Sequence, residues 1–418
     1  MRILMINACH YMRGGAEMVY FNTAGLLKSY GHEVAYFSSL DARNEQTEYE
    51  RYFVETGNIR EMSLLRKIRM VPSYLYNSRA ARQLERLILD FRPDIAHVHI
   101  FYGVLSVSIL GMLRKHKVPV VHTVHDYRLL CPVNSLADRN GNVCELCKDR
   151  HYYHCIIKRC SEGIISQSIM VTLEAYFWKY IMNPIKYIDH FIFVSDFSRS
   201  KHLEFNPDFE GRHTRIYNFT QFSEQGESSS EGDYFLYFGR LSAEKGIKTL
   251  VSAFSNDKGH RLKIAGTGPL KEFVEEAAGT SANIEYVGFR KGEDLANLIR
   301  ESSFVILPSE CYENNPLTIV EAYSFGKPVI GADTGGIKEL INNGRNGFLF
   351  RSRDRKSLES AIENSALLND REYHEFSKSV RDFAKLKFDK EKHYLDLMDV
   401  YTRVRSITVP GYADKDTE

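Results

Sequence analysis

The chain alternates between two kinds of hydrophobic pattern from one end to the other. Short runs of consecutive apolar and β-branched residues recur, and between them apolar positions return every three or four residues. The runs predict strands at Arg2–Cys9, Glu33–Leu40, Ile95–Ile100, Val118–His125, His190–Ser195 and Arg215–Asn218 in the first half. In the second half they fall at Tyr234–Gly239, Leu262–Gly266, Ile284–Phe289, Phe304–Pro308, Val329–Ala332 and Gly347–Phe350. Runs without alternation belong to strands covered on both faces, and the intervening helical period supplies the cover, so parallel α/β sheets are predicted. "SEQGESSSEGD" (residues 223–233) is acidic, rich in Ser and Gly and free of apolar residues, and reads as a linker. Two doubly wound, Rossmann-like domains facing one another across a cleft are therefore expected. They span residues 1–222 and 234–388, with a helical segment at 389–406 and a polar, disordered tail at 407–418.

Composition narrows the class. A chain of 418 residues with 43% apolar residues, 26% charged residues and a formal net charge of +1 is long enough for two cores. The apolar runs are strand-sized, far short of the roughly 20 residues that cross a bilayer. The N-terminus enters a strand almost at once and does not read as a secretory signal. A cytoplasmic protein without a nucleic-acid partner is expected. Charge is uneven, however: residues 1–222 hold 28 Lys+Arg against 22 Asp+Glu, and the remainder 27 against 32. Between Arg60 and Arg92 eight cations are interleaved with Leu, Ile, Met and Tyr. Together with the aromatic stretch "ISQSIMVTLEAYFWKYIMNPIKYIDHF" this favours docking on an anionic membrane surface, the inner face of the plasma membrane. Packing of both stretches on a sheet is the alternative.

The candidate chemistry begins with "CYENNPLTIVEAYSFGKP". Asn315 is suited to cap a helix, Pro316 to occupy its first position, and Gly326 with Pro328 to end it. Glu313 then lies in the loop before the helix and Glu321 about 7–8 Å along it. Unpaired backbone N–H groups between them form an anion site. The spacing suits an elongated ligand with hydroxyls at both ends and phosphate between, the outline of a nucleotide sugar. Gly239 closes a strand and is followed by Arg240 and Lys245, two cations suited to a diphosphate. Gly266 and Gly268 would allow close backbone approach, although "GTGPLK" fails as a dinucleotide fingerprint. Phe289 is placed to border a base. Gly14 and Gly15 form a turn after the first strand, and His122 and His125 end another. His99 is placed to approach the cleft, with His97 in the core.

In order, "FGRLSAEKG", "IAGTGPL", "VGF", "LPSECYENNPLTIVEAYSFGKPVI", "GADTGGIKELI" and "NGFLF" resemble the second domain of the retaining glycosyltransferases called group 1 or family 4. That family has the GT-B fold. The resemblance implies that Arg240 and Lys245 hold the donor diphosphate and Glu321 the ribose hydroxyls. It places Glu313 on the transferred sugar and the backbone of Asn314, Asn315, Pro316 and Leu317 on donor and phosphate. It puts Gly14 and Gly15 against donor phosphate or acceptor, puts His125 near the transferred sugar, and has the C-terminal helix cross back to the first domain.

Cys144-x2-Cys147 and Cys155-x4-Cys160 sit in an insertion at 131–160, with spacing that fits a structural zinc ion. Reduced, unliganded thiols and redox chemistry are the alternatives. The resemblance extends to a subset acting in bacterial exopolysaccharide synthesis, which has a similar insertion. The expected function is sugar transfer from a nucleotide-diphosphate sugar to a hydroxyl acceptor, a lipid-linked glycan in surface polysaccharide assembly. Retention is expected, with the leaving phosphate assisting acceptor deprotonation and no catalytic cofactor. A non-catalytic docking homologue and a sugar-nucleotide 2-epimerase are the rivals.

Overall fold

The computed structural model describes residues 1–55, 71–220, 232–256 and 259–408. Most of the 223–233 linker, part of the Arg60–Arg92 segment and nearly all of the 407–418 tail lie outside them. The first sheet has six parallel strands: β1 (Arg2–Ile6), β2 (Glu33–Phe37), β3 (Ile95–Val98), β4 (Val120–Val124), β5 (His190–Phe193) and β6 (His213–Arg215), in the order β2-β1-β3-β4-β5-β6. The second has β7 (Phe235–Arg240), β8 (Leu262–Thr267), β9 (Ile284–Gly288), β10 (Val305–Leu307), β11 (Val329–Ala332) and β12 (Gly347–Phe350), in the order β9-β8-β7-β10-β11-β12. In both sheets the order reverses beside the first strand, and in such sheets ligands bind at the carboxyl ends around that point.

Period-2 alternation explains the layers. Leu4 and Ile6 of β1 pack with Leu84, Leu87 and Ile88 of the helix Ser78–Phe91. Ile3 and Met5 face the other way, against Tyr20 and Leu27 of the helix Gly15–Ser29. That second layer is completed by Leu397, Val400, Tyr401 and Val404 of the helix Lys390–Thr408, so the end of the chain is built into the first core. In the second sheet Tyr237 and Ile264 share one core with Leu250 and Leu358, while Leu236 and Val305 share another with Ile319, Val320 and Tyr323. Among the described residues no helix is long and apolar enough to cross a membrane.

The strand read at Arg215–Asn218 lies earlier, at His213–Arg215. Ile216 N still donates to the Phe193 carbonyl at 3.0 Å, but the residues after it are taken by contacts outside the sheet. The Tyr217 carbonyl accepts from His393 Nδ1 at 2.9 Å, and the Asn218 backbone N–H donates to Asn315 Oδ1 at 2.8 Å.

The two domains also meet at the helix Asp196–Phe205. A helix start leaves its first N–H groups without partners. Ser195 Oγ accepts from Ser198 N, and Glu339 of the second domain accepts from Asp196 N at 3.0 Å and Phe197 N at 2.8 Å. Removing this carboxylate in Glu339→Ala is expected to cost the closed arrangement about 1–2 kcal/mol. A larger radius of gyration in small-angle scattering checks it; an unchanged radius and melting temperature would contradict it.

Candidate active site

Strand β7 ends on Gly239 and Arg240, and the chain turns through Ala243–Lys245 before the helix Ile247–Asn256. Gly246 follows in a left-handed conformation (φ 72°), and a Cβ there would stand 1.9 Å from the Pro308 carbonyl oxygen. This contact holds the turn against the end of β10. It delivers Lys245 Nζ to Glu313 Oε1 at 2.5 Å, and Ser309 Oγ donates to the same oxygen at 2.6 Å. Burial pushes the Glu313 carboxyl up, but the Lys245 charge and the two hydrogen bonds outweigh it and leave the group below its usual range. Lys245 is correspondingly raised by Glu313 against the opposing effect of burial. Arg240 is exposed and its guanidinium has no ion-pair or hydrogen-bond partner among the described residues.

The helix carrying Glu321 spans Leu317–Ser324, and its cap differs from the sequence reading. Pro316 is the N-cap in extended backbone, without a side-chain cap bond, rather than the first helical residue. Asn315 does not cap: its Oδ1 and its carbonyl oxygen accept from Asn218 N and Nδ2 at 2.8 and 2.9 Å. The interdomain pairing took the side chain that local grammar assigned to the helix. The backbone N–H groups at the helix start accordingly have no side-chain cap.

Glu321 is the fifth residue of this helix, and its carboxylate has no partner among the described residues. Burial alone raises it to about 7 from 4.5. A group whose folded pKa is raised favours the folded state below its unfolded pKa and loses that contribution as pH rises through the folded value. Glu321→Gln is therefore expected to raise the melting temperature at pH 8 relative to the unsubstituted protein, with the difference vanishing near pH 4.5. Paired thermal melts across that range check the sign.

Across the cleft, Gly14 precedes the helix Gly15–Ser29, and a Cβ on Gly15 would lie 3.8 Å from Leu317 Cδ1. The His125 carbonyl accepts from Asn314 Nδ2 at 2.6 Å. The His125 ring shares a 2.8 Å hydrogen bond between its Nε2 and His99 Nδ1. Burial, with a smaller contribution from His122, lowers His125 to about 3, so the imidazole is neutral at physiological pH. His97 lies in the core, bonded to Tyr401 Oη at 2.6 Å and Thr123 Oγ1 at 2.7 Å. His122 is likewise buried, on the Val98 carbonyl. Lys245, Glu313, Asn314 and His125 thus form one connected set. Gly14, Gly15 and Leu317 lie beside it, and Phe289 stands 61% exposed after the edge strand β9.

Two sequence readings change. The Cβ position at Gly266 is filled by the Gly239 carbonyl oxygen at 1.9 Å, and that at Gly268 by the Leu241 carbonyl oxygen at 2.4 Å. Their lack of a side chain is required by contact between strand ends. The cysteines lie near one another, with Cys131, Cys144 and Cys155 all acting on the Cys147 thiol, but they do not form a ligand set. Among the described residues no group of three or more His, Cys, Asp or Glu is arranged to hold a metal ion. Cys155 and Cys160 hydrogen-bond to one another through a turn in which Cys160 N donates to the Cys155 carbonyl at 3.0 Å. Cys147 packs with Tyr152 and Ala175. A zinc ligand set of Cys144, Cys147, Cys155 and Cys160 does not fit this arrangement. Sequence reasoning missed Asn218, Ser309 and Glu339; for Glu339 the only signal was its place after the glycine pair in "TGGIKE".

Two facing parallel sheets, with cations and acids gathered at the carboxyl ends beside the reversal of strand order, define a two-domain GT-B enzyme. Residues 13–221 match the family described as Glycosyltransferase Family 4, and residues 218–383 the one described as Glycosyl transferases group 1. The chain belongs to these group 1 glycosyltransferases. It is 26% identical over 354 residues to an uncharacterized 42.6 kDa protein in the cps region of Klebsiella pneumoniae, covering 81% of this chain and 87% of that one. The fold is similar to that of sucrose-phosphate synthase from Thermosynechococcus elongatus, with TM-score 0.70 and 18% identity over 97% of this chain and 99% of that chain. It is also similar to HepE of Anabaena in complex with UDP and glucose, with TM-score 0.64 and 17% identity over 96% and 100% of the two chains.

Proposed function

We propose that the enzyme transfers a sugar from a nucleoside-diphosphate sugar to a hydroxyl of a lipid-linked glycan in surface polysaccharide assembly, with retention at the anomeric carbon. The observation that carries the reading is the Lys245–Glu313 pair together with an exposed Arg240 and a half-buried Glu321 without a partner among the described residues. A diphosphate would draw Lys245 from Glu313 and share it with Arg240, leaving Glu313 to accept from the hydroxyls of the sugar. Glu321 would accept from the ribose, which would give a partner to a half-buried carboxyl. The uncapped helix start would meet phosphate with backbone N–H groups. Charge growing on the leaving diphosphate would be stabilised by the two cations, and no carboxylate is assigned as nucleophile. The UDP complex of HepE supports a nucleotide donor, and the cps-region relative supports a polysaccharide role.

Thermal shift against UDP, GDP, ADP and their sugars tests the reading. A donor at a hundred times its Kd adds about 2.7 kcal/mol. One nucleotide should raise the melting temperature, with the rise reduced in Arg240→Ala and Glu321→Ala. No rise with any donor would overturn the donor site.

A further inference from the structure

The helix Ile165–Tyr180 is built inside out. Its buried side includes Ser168, Thr172 and Glu174, while Ile165, Ile169, Leu173 and Tyr180 form an exposed row at helical spacing. Its two charged residues do not relieve that row. Glu174 is fully buried and paired with Arg128, and Lys179 donates to the Arg150 carbonyl. Ile157, 70% exposed, and Ile181, 73% exposed, add further apolar surface close in sequence to the helix. A helix that turns a row of large apolar side chains to solvent while polar groups lie on its buried side is matched to a medium other than water.

The flank of the same helix lines a small cavity of about 30 Å³ whose mouth opens to solvent. Arg128, Lys148, Arg150 and Lys179 line it and no carboxylate does. Trp178, also in the lining and 6% exposed, keeps its indole N–H buried without an acceptor. Glu204 and Asp208 pair with Lys148 at 2.7 Å and Arg150 at 3.6 Å from outside the lining, in partly exposed bridges that a stronger anion can displace. Lys179 joins the two features, with its Nζ 5.0 Å from the centroid of the Tyr180 ring at the end of the apolar row.

We propose that this face is a docking site for an anionic lipid surface, with the isoleucine row entering the acyl boundary and the cationic cavity receiving a lipid phosphate. Charge selects the occupant. Two copies of this face would bring cationic surroundings together, whereas an anionic leaflet complements them. The site deepens the lipid-linked acceptor reading and rests on it only for the need to reach a bilayer.

Co-sedimentation of the full chain with phosphatidylglycerol-containing and pure phosphatidylcholine vesicles tests it. Binding is expected on the first and not the second. It should fall about tenfold or more in Ile157→Asp and in Ile169→Asp/Leu173→Asp, and lose much of its salt dependence in Lys148→Gln/Lys179→Gln. Nucleotide thermal shifts, unchanged in all three variants, show that they fold and report the donor reading separately. Absence of vesicle binding in a protein that still shifts with nucleotide overturns the docking site alone. Binding retained by the face variants overturns it as well. A dimer in light scattering that Ile169→Asp/Leu173→Asp dissociates, without vesicle binding, would assign the face to a second copy. Displacement from vesicles by millimolar inorganic phosphate, but not by chloride of equal ionic strength, would assign the cavity to free phosphate and overturn the lipid occupant.

Discussion

Lys245→Ala is expected to lower turnover by about 10²–10³-fold, equivalent to about 2.7–4 kcal/mol of transition-state stabilisation. The lysine is held against Glu313 at 2.5 Å. Its removal takes a cation from the proposed diphosphate site and leaves a largely buried carboxylate without its main partner. The two losses separate with pH. Glu313 is held below its usual range, so the pair's contribution is present above the unfolded pKa near 4.5 and fades as pH falls through the folded value. The stability deficit of Lys245→Ala should therefore be larger at pH 7 than near pH 4, whereas the turnover defect remains wherever the enzyme is active. Lys245→Arg retains charge and should recover stability more fully than turnover, because a planar fork does not reproduce a point charge at this position. Initial rates and thermal melts on the three proteins check this; wild-type turnover in Lys245→Ala would remove the lysine from the mechanism.

Gly336→Ala should be among the damaging single methyl additions in the second domain, and the one that acts directly on the loop carrying Glu313. The added Cβ would stand 1.8 Å from the Asn314 carbonyl oxygen and 3.3 Å from Ser195 Cβ. The backbone is ordinary there (φ −76°), so the requirement is for space alone. The Gly336 N–H already donates to the Glu313 carbonyl at 2.7 Å, so the methyl would displace the loop that carries Glu313 and Asn314. Overpacking of this kind costs about 1–3 kcal/mol, and a displacement of about 1 Å at reacting groups costs about 10² in rate. Gly279→Ala is the control. It lies in the helix Lys271–Thr280 with nothing within 4 Å of its Cβ position, and should be neutral or stabilising by up to about 1 kcal/mol. Equal activity of the two variants would show that the 313–314 loop tolerates movement.

Much of the architecture was legible because hydrophobic period is a local property. The runs read at Ile95–Ile100 and Val329–Ala332 as buried parallel strands form the strands Ile95–Val98 and Val329–Ala332. Errors cluster where a distant partner claims a residue. Asn315 has the chemistry of a helix cap and instead holds Asn218, 97 positions away. The strand expected to reach Asn218 stops at Arg215 for the same reason. Gly266 and Gly268 resemble ligand glycines because sequence records only the missing side chain, not whether a carbonyl or a phosphate fills the space. The cysteine spacing was compatible with zinc, but Cys155 and Cys160 hydrogen-bond to one another and Cys147 packs with Tyr152 and Ala175, so no group of three or more ligands forms among the described residues.

By itself the sequence determined two parallel α/β domains and the acids and cations at their strand ends, because strand period, glycine turns and the ordered motifs are all written within a few dozen residues. Only the tertiary structure decided their electrostatic state. Lys245 and Glu313 neutralise one another across 68 positions, and Glu321 is raised to about 7 by an enclosure that no local pattern encodes. It also decided that Glu339 caps a helix of the other domain, that the helix Lys390–Thr408 completes the first core, and that Ile169 and Leu173 face outward while Ser168 and Thr172 are buried. Each of these depends on which surfaces meet after long loops close, and that is set by the packing of the whole chain rather than by the preferences of any segment.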